Sequence, residues 1–122
     1  EKVIARDINA DFDQLKFAHG FDHNWVLNDY DGDVRLVASA YAEESGIKMS
    51  VYTDLEGMQF YTANFMNGDF EGKNGAHFGP RHAYCFETQH YPDCLHKPEW
   101  PTSIVKAGEE YDTTTIYKWE LQ

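Results

Sequence analysis

The chain has 122 residues, which suits one modest domain. Its formal net charge of −11 argues against nucleic acid and anionic membranes as partners, because holding phosphate takes clustered Lys and Arg. A composition 42% hydrophobic and 25% charged excludes a disordered chain, and no apolar run approaches the length of a membrane span. Aromatic residues at 16% favour a β-rich fold and the kind of surface on which rings lie against apolar sugar faces. The two cysteines, Cys85 and Cys94, make neither a disulfide framework nor a CxxC metal site. Two free thiols point to an intracellular, cytoplasmic setting. The chain opens on Glu1 with no signal-peptide pattern, so it is read as processed, trimmed or part of something longer.

Residues 1–20 mix acids with Ala and Gly and predict loop and short extended pieces, with a turn or two of helix around Phe12–Ala18. Phe21-Asp22-His23-Asn24-Trp25-Val26-Leu27 sets an acid, an imidazole and an amide before an apolar run, and residues 28–33 are dense in turn formers. Val34 to Tyr41 reads as a strand, and Ile47 to Thr53 alternates with apolar residues at 47, 49 and 51. Residues 54–57 turn, Met58 to Phe65 reads as a further strand, and glycines at 68, 72, 75 and 79 fill a long loop. A strand over 83–91 follows. Pro92, Pro98 and Pro101 then mark an irregular stretch, and 113–119 is a last strand rich in β-formers. Short strands with turn signals about every 8–12 residues predict an all-β antiparallel sandwich or barrel.

The 83–91 strand carries the sharpest chemical signal. Alternate residues of a strand share a face, so Tyr84, Phe86, Thr88 and His90 point one way and Cys85, Glu87, Gln89 and Tyr91 the other. Glu87 thus sits mid-strand with no adjacent Lys or Arg. A carboxylate in that position faces solvent, or lines a cleft where it is a candidate general base. The six histidines invite a metal reading, but His19 and His23 are separated by Gly20, and His82, His90 and His96 lack ligand spacing. No GxSxG elbow and no phosphate-binding glycine loop occurs. What remains is a set of oxygen and amide groups, Asp22, Asn24, Gln59, Glu87 and Gln89, suited to hydrogen-bonding hydroxyls. Each alone is equally at home as a loop cap or strand-surface residue; together with the aromatics they suggest a carbohydrate.

These stretches resemble the galactose mutarotase, or aldose 1-epimerase, family. The resemblance rests on Phe21-Asp22-His23-Asn24-Trp25-Val26-Leu27, Ser45-Gly46, Gly57-Met58-Gln59-Phe60-Tyr61-Thr62-Ala63-Asn64-Phe65 and Lys73-Asn74-Gly75-Ala76. It continues through Phe86-Glu87-Thr88-Gln89-His90-Tyr91-Pro92-Asp93 and Gly108-Glu109-Glu110-Tyr111, in family order, over nearly all of residues 10–122. It implies an antiparallel β-sandwich of the galactose mutarotase type, of which residues 1–122 would be the C-terminal part. It implies an enzyme that interconverts the α and β anomers of free aldoses such as galactose and glucose, with no metal or organic cofactor. Glu87 would be the catalytic base, and Asp22 and Gln59 would contact sugar hydroxyls.

The match departs from the family in length. The family's domain is well over twice as long, and its preceding half carries the catalytic acid histidine, a second sugar-contacting histidine and an Asn-Arg pair. No histidine of this chain falls in those motifs. A complementing chain, or self-association over exposed sheet edges, is therefore expected. Two other readings stay open: a non-catalytic carbohydrate-binding module on the same scaffold, and an epimerase of a phosphorylated hexose, which the lack of clustered Lys and Arg disfavours.

Overall fold

Alternation carries the middle of the chain into strands. A computed structural model describes residues 2–122. One short helix, α1 (Asp13–Ala18), precedes six strands: β1 (Asp22–Val26), β2 (Arg35–Ala42), β3 (Ile47–Thr53), β4 (Gly57–Tyr61), β5 (Cys85–Gln89) and β6 (Thr115–Leu121). Single 3-10 turns lie at Ile4–Arg6, Lys73–Gly75 and Cys94–His96. The strands form two three-stranded sheets, in the orders β1-β4-β5 and β2-β3-β6. Among the described residues no helix is long and apolar enough to cross a membrane.

Contacts group the chain into two units, one formed by residues up to His23 with Gln59–Glu87, the other by Asn24–Met58 with Thr88–Gln122. In the first, Phe60 is buried and stands 5.2 Å from both Phe21 and Phe86, centroid to centroid, with Tyr84 at the cluster's edge. Leu15 anchors α1, whose last turn ends at His19 in the left-handed conformation. Arg81 donates to the carbonyl of His19 from both Nε and Nη2, satisfying the end of the helix. Gly20 follows with a φ of +148°, and a Cβ there would meet Thr62 Oγ1 at 2.9 Å and run into the Asn64 amide.

The second unit is built on the regular antiparallel pairing of β3 with β2 and β6. Met49 lies between Ala40 and Trp119, and Val51 between Ala38 and Tyr117. A bulge between Leu36 and Ala38 shifts the register of β2, so the expected single face of Val34, Leu36, Ala38 and Ala40 is broken there. One face of this sheet carries Ala38, Ala40, Ala42, Ile47, Met49, Val51, Tyr117, Trp119 and Leu121, with Arg35 opposite Thr53 at its far end. The other carries Lys48, Lys118 and Glu120, the last two paired at 2.8 Å.

Five of the six strands arise where the sequence predicts them, with shifted ends; β1 forms in the stretch read only as polar groups before an apolar run. β4 stops at Tyr61 rather than Phe65. Ala63 takes a φ of +51°, which ends the extended run, and the Asn64 side chain donates to Phe21 O at 2.9 Å where a continuing strand would present backbone. β5 is shorter than 83–91, and β6 runs on to Leu121.

Candidate active site

β1, β4 and β5 each put alternate side chains on opposite faces. On one side are the rings of Phe21, Phe60 and Phe86. On the other are Asp22 and Asn24 of β1, Gln59 of β4, and Cys85, Glu87 and Gln89 of β5. The oxygen and amide groups that the sequence singles out therefore share the polar side of their strands.

Within the first unit Gln59 Nε2 donates to Asp22 Oδ1 at 2.7 Å, with both residues half-buried. A short bond to a carboxylate is the strong kind, and it fixes the orientation of both groups. The remaining carboxylate oxygen, Oδ2, and the amide's own oxygen are groups of the type that read sugar hydroxyls. Glu87 is exposed, so its carboxylate bears no burial cost and is open to a ligand. Its charge is felt at Cys85, two residues away: burial pushes the Cys85 thiol above its ordinary value and the Glu87 charge pushes it further the same way.

Within the second unit Gln89 Nε2 donates to Asn24 Oδ1 at 2.9 Å. The structure thus pairs four of the five groups the sequence singles out, Asp22 with Gln59 and Asn24 with Gln89. The second unit also holds a pair that the sequence reading passes over. Glu56 is 0% exposed, and both its carboxylate oxygens lie against His90 Nδ1, at 2.9 and 3.2 Å. Glu56 falls in a stretch that reads as a solvated turn. Its partner lies 34 residues on, so no local pattern marks it.

The histidines do not assemble. His19 caps α1, His23 Nδ1 accepts the backbone N–H of Asp22, His82 Nδ1 accepts that of Gly79, and His96 pairs with Asp93. Among the described residues no three His, Cys, Asp or Glu are grouped to hold a metal ion. Cys85 and Cys94 are free thiols.

Comparison with known proteins fits this arrangement. The family model for aldose 1-epimerase matches residues 1–118, and the chain belongs to that family. Galactose mutarotase of Mus musculus is 40% identical over 103 residues, which is 84% of this chain and 30% of that protein; the Homo sapiens protein gives the same figures. Aldose 1-epimerase of Escherichia coli is 29% identical over 119 residues, 96% of this chain and 34% of its own length. The chain thus spans about 30% of the length of these curated mutarotase relatives. Among solved structures, a GalM/aldose epimerase homologue from C. elegans superposes with a TM-score of 0.71 at 22% identity, over 83% of this chain and 30% of that one. That likeness gives the fold: an antiparallel β architecture of the aldose epimerase type.

Proposed function

We propose that this chain supplies the base and the sugar-orienting groups of an aldose 1-epimerase acting on free aldoses such as galactose and glucose. The observation that carries the reading is the Asp22–Gln59 hydrogen bond, on the polar side of strands whose third member bears the exposed carboxylate of Glu87. Asp22 and Gln59 hold sugar hydroxyls, and Glu87 takes the proton of the C1 hydroxyl. An acid gives a proton to the ring oxygen as the bond between C1 and that oxygen breaks. The open aldehyde turns about C1–C2, and the same proton transfers run backwards on its other face. No metal or organic cofactor enters.

The acid falls outside the matched motifs, in keeping with the 30% of the relatives' length that this chain spans. The complete site then needs the acid-bearing part of such a domain, on the same or another chain. The apolar stretch around Ile47, Trp119 and Leu121 on the β2-β3-β6 sheet supports a neighbour of that kind. Polarimetry on freshly dissolved α-D-galactose and α-D-glucose tests the reading. The chain is assayed alone, with the upstream part of a relative's domain added, and as Glu87→Gln. Acceleration should fall by about 10²–10⁴-fold in Glu87→Gln, the usual contribution of a positioned base. Sugar binding with no acceleration in either mixture would leave the chain a binding module. Neither binding nor acceleration would sink the reading.

A further inference from the structure

Asn24, Gly57 and Gln89 stand two residues along β1, β4 and β5 from Asp22, Gln59 and Glu87 respectively. Residues two apart on a strand share its face, so these are the next polar positions on the same three strands. They fit one another closely. Gln89 Nε2 donates to Asn24 Oδ1 at 2.9 Å, and that same oxygen lies 2.7 Å from where a Cβ on Gly57 would be. A Cβ there would also meet Gln89 O and the Tyr91 ring, each at 3.0 Å. Gly57 is buried, and its φ is not positive. Its lack of a side chain is explained by space: the amide of Asn24 occupies the room that any other residue would fill.

We infer that the Asn24–Gln89 bridge, seated on Gly57, is a positioning element for the sugar site. It rests on the reading of Asp22, Gln59 and Glu87 as that site. The physical argument is one of shared strands. Asp22 and Gln59 meet at 2.7 Å only in one register of β1 against β4. Backbone pairing alone leaves such a register to be set by side chains, and a bridge from β1 to β5 with its acceptor packed on β4 engages all three strands at one level. Supporting contacts of this kind hold reacting groups within the small tolerance that catalysis demands. Asn24 and Gln89 spend their facing amide groups on each other, so they are positioning residues rather than contacts to the sugar.

The test uses the side-chain amide protons of Gln59, whose exchange with water reports the bond to Asp22 whether or not a sugar is turned over. In Gln89→Met, which keeps length and removes the donor, exchange should quicken several-fold, up to about tenfold, as losing the net worth of one hydrogen bond allows. Backbone amides of β3 serve as the control and should not change. Asn24→Asp keeps the acceptor and should retain slow exchange, whereas Asn24→Leu should behave as Gln89→Met does. Unchanged Gln59 exchange in both Gln89→Met and Asn24→Leu would overturn the inference; so would equal quickening at Gln59 and in β3, which marks general loosening. Where the parent accelerates mutarotation, Gln89→Met should lower the turnover rate more than it raises KM. A parent that neither binds sugar nor accelerates mutarotation, alone or with the added part, would remove the sugar reading while the exchange measurement still decides the bridge.

Discussion

Cys85 reports on Glu87 from two residues away on the same face of β5. Burial raises the thiol's pKa, and the negative charge of Glu87 raises it further. The sign follows directly. At a pH below the raised value the thiol is mostly protonated and slow to alkylate, because the thiolate is the nucleophile. Removing the charge in Glu87→Gln lowers the pKa towards the ordinary one, so more thiolate is present and iodoacetamide should react faster at about pH 8.5. Cys94, the buried thiol, supplies the internal reference in the same mass-spectrometric measurement. An unchanged ratio of Cys85 to Cys94 labelling would mean the Glu87 carboxylate points away from the thiol. The orientation of Glu87 was legible from alternation alone, since Cys85, Glu87 and Gln89 must share a face. Glu56 was not, because a carboxylate between Leu55 and Gly57 looks like any turn acid until His90 is brought against it from the far end of β5.

The Glu56–His90 pair joins the residue before β4 to the residue after β5. A wholly buried carboxylate needs its partner, and removing one member of such a pair typically costs about 3–5 kcal/mol. His90→Ala should therefore fall near that range in urea unfolding, whereas Glu56→Gln, which can still accept from the imidazole, should cost about half as much or less. The reverse order would show that Glu56 is held by something other than His90. Gly20→Ala belongs to the same scale: the φ of +148° and the crowding by Thr62 and Asn64 both oppose a methyl group. It should destabilise by about 2 kcal/mol or more, read as a lower Tm. The strands other than β1 were visible in the sequence through β-forming residues and period-two alternation, most cleanly in β3. Their ends were not. β4 stops early because Ala63 adopts a positive φ that nothing in an alanine announces, and because Asn64 bonds back to Phe21. The bulge in β2 escapes the sequence for a similar reason: it depends on pairing with β3, which the residues of β2 do not encode by themselves.

For the molecule as a whole, the sheet β2-β3-β6 poses the open physical problem. Its central strand is buried at Met49 and Val51, yet on the same face Trp119 is 62% and Leu121 82% exposed. Tyr117 and Ile47 stand beside them, also exposed, and the charge on that face, Arg35, lies opposite Thr53 at the other end of β3 from Ile47. Covering a side chain such as Trp or Leu gains about 1.5–3 kcal/mol. A few of them together outweigh the modest electrostatic repulsion between chains of net charge −11 once salt screens it. The chain alone should thus associate with rising concentration, and more readily at 0.5 M than at about 0.05 M salt, as sedimentation velocity would record. Trp119→Lys with Leu121→Lys places two cations on the face and should hold the chain monomeric at the same concentration. Supplying the upstream part of a relative's domain should compete with self-association, because both would cover one surface, and the competition should fail with the double lysine variant. A chain that stays monomeric at high salt, with no change on substitution, would leave the face satisfied by solvent and remove the argument for a complementing partner there. The same set of proteins links surface to chemistry. If the added part restores acceleration of mutarotation in the parent and not in the lysine variant, the covered face is a condition of the active site. If acceleration appears without any association, the base and its acid must both lie within this chain.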